Sequence, residues 1–415
     1  MRGGLPLSSD FLSGDTVLCR HGETERTGTY ITGREGMAVI KLDSGYNIGV
    51  SLSEIRLLKR AEVASPPPVR VIQDENLPQL SIVSTGGTIA SRIDYRTGAV
   101  TSQFDAEDIL RAIPRLVTIG QYRARKLYTI LSENMTPSIW RELAEAVYKE
   151  IKSGSAGVIV THGTDTMAYS AAAVSFMIDT PVPVIFVGSQ RSADRPSSDN
   201  TVNALCSASA AVSDLGEVAL VMHGTMNDDS CLIHRGTRVR KMHTSRRDAF
   251  QSTGIPPIGK VKYPSLEVEL ADNAIRRGGR EPAIASSLEE RCGLLYFYPG
   301  MHDQTIASFS GYKGLIIAGT GLGHVSTTFI PHIRALIDDG TTVVMTSQCL
   351  HGRVCDRVYD TGRDLIKAGV IEGEDILPEV ALVKLMWVLG NAKDPEHVEV
   401  MMRSCLKGEC GGRSS

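Results

Sequence analysis

The 415-residue sequence has no apolar run near the roughly 18 residues that suggest a membrane helix. Its opening stretch MRGGLPLSSDF has no hydrophobic signal core, so a cytoplasmic location and no membrane partner are expected. Charge of either sign is also scarce in excess: 44 Lys and Arg against 47 Asp and Glu leave a formal −3. Without a global basic field, any contact with nucleic acid must be local or made by a partner. The eight cysteines (Cys19, Cys206, Cys231, Cys292, Cys349, Cys355, Cys405, Cys410) contain no Cys-x-x-Cys pair, which excludes a zinc ribbon or a disulfide scaffold. They read as reduced small hydrophobes. Cys349 and His351 lack ligand spacing, and no metal is assigned. There is no GxxxxGK[ST] loop, so ATP activation by that route must occur elsewhere.

A hydrophobic share of 42% with 22% charged residues describes an ordinary globular chain, long enough for two to four domains at roughly 100–200 residues each. The first segment, Gly14 to about Lys59, is strand-like throughout. Thr16–Cys19, Thr27–Thr32, Met37–Leu42 and Ile48–Ser51 are β-branched stretches separated by glycine-containing turns, the pattern of a small β-barrel. Pro66-Pro67-Pro68 then marks a linker. From Leu80 strands and helices alternate. Apolar runs at Ser81–Val83, Gly157–Val160, Pro183–Val187 and Val218–Met222 lead into helical stretches at Ala106–Ala112, Pro137–Lys152, Met167–Ile178 and Asn200–Val212. Apolar strands with helical crossovers predict a mostly parallel sheet covered on both faces. Charged residues 264–290 read as a second linker. Strands at Gly293–Tyr298, Gly314–Ala318 and Thr341–Met345 build a smaller α/β unit, and the tail after Cys405 reads as frayed. The expected division is 1–75, 76–263, 264–290 and 291–415.

In open α/β sheets ligands sit at the carboxyl ends of strands. Two turns there combine glycines with hydroxyls: Ser84-Thr85-Gly86-Gly87-Thr88-Ile89-Ala90 and Thr161-His162-Gly163-Thr164-Asp165-Thr166. Glycines admit backbone N–H groups to a substrate oxygen, and a threonine offers a nucleophile once a base takes its proton. Thr164 and Asp165 supply a second hydroxyl and a carboxylate. Lys241, in Arg240-Lys241-Met242-His243-Thr244, is the lysine expected to accept that proton if partly buried.

Thr85-Gly86-Gly87-Thr88-Ile89-Ala90 and His162-Gly163-Thr164-Asp165-Thr166 resemble the two signatures of the bacterial-type asparaginase/glutaminase family, whose two-domain core would span Leu80 to Leu389. The resemblance implies that Thr88 is the primary nucleophile, that Thr164, Asp165 and Lys241 assist it, and that Tyr95 sits on a mobile loop beside it. It also implies that Ser132 holds the substrate's α-carboxylate and Asp165 its α-amino group. Glu133 stands where many free asparaginases carry glutamine, which bears on amino-acid preference.

A barrel before this core, with Ser132-Glu133-Asn134-Met135 and the stretch from Ser189 to Asp199, is similar to the D-subunit family of archaeal glutamyl-tRNA(Gln) amidotransferases. That resemblance implies an α/β fold in which an SH3-like barrel precedes the asparaginase-like core. The implied activity is hydrolysis of glutamine to glutamate and ammonia. A partner subunit of the E type would bind Glu-tRNA(Gln), use ATP and Mg, and consume the ammonia; no cofactor is expected on this chain. A homodimer within a heterotetramer is the implied assembly, and a stand-alone L-asparaginase is the alternative. Two other motifs carry less. Gly319-Thr320-Gly321-Leu322-Gly323-His324 misses the dinucleotide fingerprint by one residue and reads as a substrate-side or subunit-contact loop. Arg235, Arg238, Arg240, Lys241, Arg246 and Arg247 lack interleaved aromatics and read as a solvated or intersubunit face.

Overall fold

A computed structural model describes residues 11–22, 24–34, 36–61, 71–86, 92–93, 100–101, 106–192, 195 and 197–412. Thr88, Tyr95 and the triple proline lie outside them. Among the described residues no helix is long and apolar enough to cross a membrane.

The amino-terminal segment is a five-stranded antiparallel sheet. Thr16–His21 lies between Thr24–Arg34 and Ile55–Lys59, while Met37–Leu42 and Asn47–Ser51 extend the other side. Alternation along Met37–Leu42 turns Ala38, Ile40 and Leu42 inward against Val17, Cys19, Tyr30 and Val50. The last strand, Ile55–Lys59, lies within the stretch read as strand-like but has no clean alternation to mark its own bounds.

The core holds an eight-stranded sheet. Gln121–Lys126, Gln79–Ser84, Gly157–Thr161, Val184–Val187 and Val218–His223 run parallel in that spatial order. Three antiparallel strands follow, Ser230–Arg235, Gly259–Lys262 and Val268–Leu270. The eight-stranded sheet is therefore mixed, a parallel run extended by an antiparallel one. Residues 224–229 are too few for a crossover, so the chain can only turn back on itself there. The charged stretch after Pro264 contributes the edge strand Val268–Leu270, and Ala283–Ile284 pairs with Ile178–Asp179.

Four helices fall where the apolar spacing predicts. Pro137–Lys152 begins with Thr136 Oγ1 accepting from the Ile139 amide and proline in its first turn. It buries Leu143, Val147 and Ile151, and Trp140 Nε1 donates to Ser170 Oγ at 2.9 Å. Met167–Met177 has no polar face because it is enclosed: helix Pro378–Asn391 packs on it from the carboxy-terminal domain, and Ala171, Ala172 and Ala173, on successive faces, are all fully buried. The second domain is a parallel sheet of Cys292–Tyr296, Gly314–Gly319, Thr342–Ser347 and Ile371–Glu372.

The tail is not frayed. Lys384 and Glu409 form a buried ion pair at 2.7 Å, and Lys384 also donates to the Met402 and Ser404 carbonyls. Gly411 N donates to the Asp375 carboxylate. Of the eight free cysteines only Cys19, Cys206, Cys231 and Cys292 are buried; Cys349 and Cys405 are exposed, and Cys355 and Cys410 are half-buried.

Candidate active site

Strand register brings the two glycine-threonine turns together. Thr161 pairs with Ser84 on neighbouring parallel strands, so both turns leave the sheet side by side. The Thr85 amide donates to the Thr161 carbonyl at 3.1 Å, and Thr161 Oγ1 donates to Ser84 Oγ at 3.0 Å. Gly86 sits at φ +122°, and a Cβ there would lie 2.6 Å from the Ile130 carbonyl, so the position demands glycine twice over. At Gly188, after the next strand, a Cβ would meet the His162 carbonyl at 2.7 Å and Thr164 Cγ2 at 2.8 Å.

Lys241 arrives from the hairpin Val239–Lys241/Phe250–Ser252. Its ammonium donates to Thr164 Oγ1 at 2.9 Å and to Asp165 Oδ1 at 2.7 Å. The lysine side chain is 13% exposed and that of Asp165 70%. The amine is thus enclosed while the carboxylate faces open space where a ligand's ammonium can reach it. Ser132, 5% exposed, packs against the same turn: a Cβ on Gly163 would fall 3.0 Å from its Oγ, and Thr166 Oγ1 donates to its carbonyl at 2.7 Å. Glu133 follows, exposed, in the same short 3-10 turn.

Of the expected site residues, Thr164, Asp165 and Lys241 are in contact, and Ser132 adjoins their turn. Thr88 and Tyr95 lie outside the described residues. His162 is not a base here. It is fully buried, its Nδ1 bonds the Gly163 carbonyl at 2.7 Å, and burial lowers its pKa to about 4.

The arginines near Lys241 are a solvated face only in part: Arg246 is exposed and paired with Asp248, while the others are drawn to carboxylates of the fold. Arg235 pairs with Glu217, Arg238 with Asp375, Arg240 with Glu379 and Arg247 with Asp228, and Arg235, Arg238 and Arg247 are buried. Arg238 and Arg240 tie the hairpin to the carboxy-terminal domain and so position Lys241. Asp199 is a further positioning residue. Buried completely, it accepts from Ser189 Oγ, the Gln190 and Arg191 amides and Asn203 Nδ2, all at 2.8–2.9 Å. It thereby holds the loop after Val184–Val187. The signal for these partners was weak, since a buried arginine needs a carboxylate but sequence does not show which one. On the loop held by Asp199, the Arg195 guanidinium lies over the ring of Tyr46, in the turn before Asn47–Ser51, 5.1 Å from its centroid.

Three family descriptions match: a GatD N-terminal domain at residues 11–59, the amino-terminal asparaginase domain at 79–275, and the glutaminase/asparaginase C-terminal domain at 291–402. The D subunit of the glutamyl-tRNA(Gln) amidotransferase of Methanosarcina mazei is 52% identical over 96% of this chain and 98% of its own length. That of Archaeoglobus fulgidus is 56% identical over 89% and 88%. The chain belongs to the D-subunit family of glutamyl-tRNA(Gln) amidotransferases. Among solved structures, the L-asparaginase of Thermococcus kodakarensis aligns with a TM-score of 0.73 at 30% identity, covering 81% of this chain and all of that one. L-asparaginase I of Vibrio cholerae aligns at 0.70 and 28%, covering 81% and 99%. The D-subunit family is thus an asparaginase fold carrying an additional amino-terminal domain.

Proposed function

We propose that this chain is the glutaminase subunit of a tRNA-dependent amidotransferase that converts Glu-tRNA(Gln) to Gln-tRNA(Gln). The observation that carries the reading is the contact of Lys241 with Thr164 and Asp165 at the strand ends, in a chain that also bears the GatD N-terminal domain.

Glutamine binds with its α-ammonium at the open Asp165 carboxylate and its α-carboxylate near Ser132; Glu133 tunes the choice between glutamine and asparagine. A threonine hydroxyl, that of Thr88, attacks the side-chain amide, assisted by Tyr95. The 2.9 Å contact between Thr164 Oγ1 and Lys241 Nζ is the path for the proton. Backbone N–H groups of the glycine turns stabilise the oxyanion, ammonia departs, and water releases glutamate. The chain uses no cofactor of its own; ATP and Mg act on an E-type partner that binds Glu-tRNA(Gln) and receives the ammonia. Two copies of each subunit form a heterotetramer in the cytoplasm, with this chain as the central homodimer. The amino-terminal sheet closes as an SH3-like barrel and, through Tyr46 on Arg195, sits where docking reaches the loop held by Asp199.

The test is ammonia release from glutamine and asparagine by the chain alone, and with an E-type partner, ATP and Glu-tRNA(Gln). The reading expects glutamine-derived amide on the tRNA. Free asparagine preferred, with no response to partner or tRNA, would make the chain a stand-alone L-asparaginase.

A further inference from the structure

The carboxy-terminal loop Cys405-Leu406-Lys407-Gly408-Glu409-Cys410 folds around one buried carboxylate. Glu409 accepts from the Leu406 and Lys407 amides at 3.0 and 2.6 Å and pairs with Lys384. Curling the chain this way brings its two cysteines together. The Cys410 amide donates to Cys405 Sγ at 3.2 Å, Cys405 Sγ donates to the Cys410 carbonyl at 3.0 Å, and both sulfurs lie within 4.8 Å of each other and of a Glu409 oxygen. Cys405 is exposed and Cys410 half-buried, so a reagent in solution reaches the pair.

Two sulfurs and a carboxylate also make a zinc-type donor set. Here the carboxylate is already taken by an ammonium and two amides, and a cation would sit beside the Lys384 charge. Reaction of the thiols with each other gives up only the long contact of Cys405 Sγ to Glu409 Oε2, 3.9 Å, and leaves its amide and Lys384 partners in place.

We propose that Cys405 and Cys410 are a redox-modification site that closes a reversible disulfide across this loop. The oxidant is a small disulfide of the glutathione class. The Cys405 thiolate attacks one of its sulfurs and expels a thiolate; Cys410 gives its proton to solvent and attacks the Cys405 sulfur, expelling the second. The protein thiols lose two protons and two electrons, and the oxidant leaves as two thiols. The hydrogen bond between the two cysteines lowers the Cys405 pKa to about 7 and raises that of Cys410, which makes Cys405 the first to react. Capture of Cys405 in a mixed disulfide removes the thiolate that raises its neighbour.

The loop is well placed for its oxidation to matter. Thr237 Oγ1 donates to the Lys407 carbonyl at 2.9 Å and Arg238 Nε to the Gly408 carbonyl at 3.3 Å, immediately before the hairpin that carries Lys241. Stapling the loop fixes this brace.

The test reads sulfur chemistry and does not rest on the glutaminase reading. The full chain is treated with oxidised glutathione, quenched by alkylation and mapped by mass spectrometry without reduction. The expected product lacks two hydrogens, links Cys405 to Cys410, carries no lasting glutathione and reverts with dithiothreitol. Cys410→Ser should retain glutathione on Cys405, and Cys405→Ser should react more slowly than wild type. Amide exchange at residues 237–241 should slow in the oxidised chain. The proposal is overturned if wild type keeps glutathione on Cys405, if both thiols remain free to alkylate, or if the purified chain holds stoichiometric zinc that Cys405→Ser releases.

Discussion

Two lysine–carboxylate pairs in this molecule have the same length, 2.7 Å, and opposite surroundings. Lys384 and Glu409 are both fully buried: two carbonyls accept from the lysine, and two amides and, at 3.9 Å, Cys405 Sγ donate to the glutamate. Lys241 and Asp165 stand at the strand ends, with the carboxylate 70% exposed and the lysine's other partner a threonine hydroxyl. The first pair is sealed and joins the tail to the carboxy-terminal domain. The second leaves a carboxylate edge free for a ligand. Distance alone therefore does not separate structure from chemistry; what completes each coordination shell does.

Substitutions should split the two pairs cleanly. Lys241→Ala or Thr164→Val should lower ammonia release from glutamine by about 10²–10⁴-fold, the range that positioned catalytic groups supply, with an unfolding midpoint near wild type. Lys384→Met leaves Glu409 charged and buried, and denaturant unfolding should show a loss of about 3–5 kcal/mol. Hydrolysis per folded molecule should then persist. A rate loss for Lys384→Met as deep as that for Lys241→Ala, at equal folded fraction, would erase the distinction.

A smaller effect follows from pH. Burial holds both His162 and His234 down to about 4. The unfolded chain takes up protons near 6.5 while the folded chain resists until about 4, so their contribution is complete above pH 6.5 and is lost as pH falls toward 4. Asp356 acts in the opposite sense. Burial and the nearby Glu372 raise it to about 7, so its contribution is present below pH 3.8 and is lost as pH rises through 7. Two histidines against one aspartate leave a net slope of at most about 1.4 kcal/mol per pH unit. Urea titrations between about pH 4.5 and 6.5 should show stability rising with pH, and more steeply in Asp356→Asn. Smallest of all, Thr136→Ala removes the cap of helix Pro137–Lys152 and should cost about 1 kcal/mol, with ammonia release unchanged.

Much of this was legible in the sequence, for identifiable reasons. Parallel strands such as Gly157–Thr161 are apolar throughout because both faces are covered, and they end in the turns that hold the chemistry. Helix Pro137–Lys152 declares itself through the four-residue apolar stripe Ile139, Leu143, Val147 and Ile151. Lys241 was found because a threonine nucleophile needs a nearby base. What escaped has a common cause, dependence on partners remote in sequence. The edge strand Gln121–Lys126 is largely polar and charged, and the antiparallel strands after His223 are visible only once residues 224–229 prove too short to cross over. The tail reads as frayed until Lys384 is seen to meet Glu409. Likewise the arginines around Lys241 look like a surface patch until Glu217, Asp375 and Asp228 are brought to them.

The central claim is that the Lys241–Thr164–Asp165 contact is where glutamine loses its amide. The most direct measurement is transfer of ¹⁵N from amide-labelled glutamine to Glu-tRNA(Gln) by the chain with an E-type partner and ATP, comparing wild type with Lys241→Ala. The account predicts labelled Gln-tRNA(Gln) from wild type, none above background from the variant, and recovery when ammonium is added. Equal labelling by both proteins would contradict it.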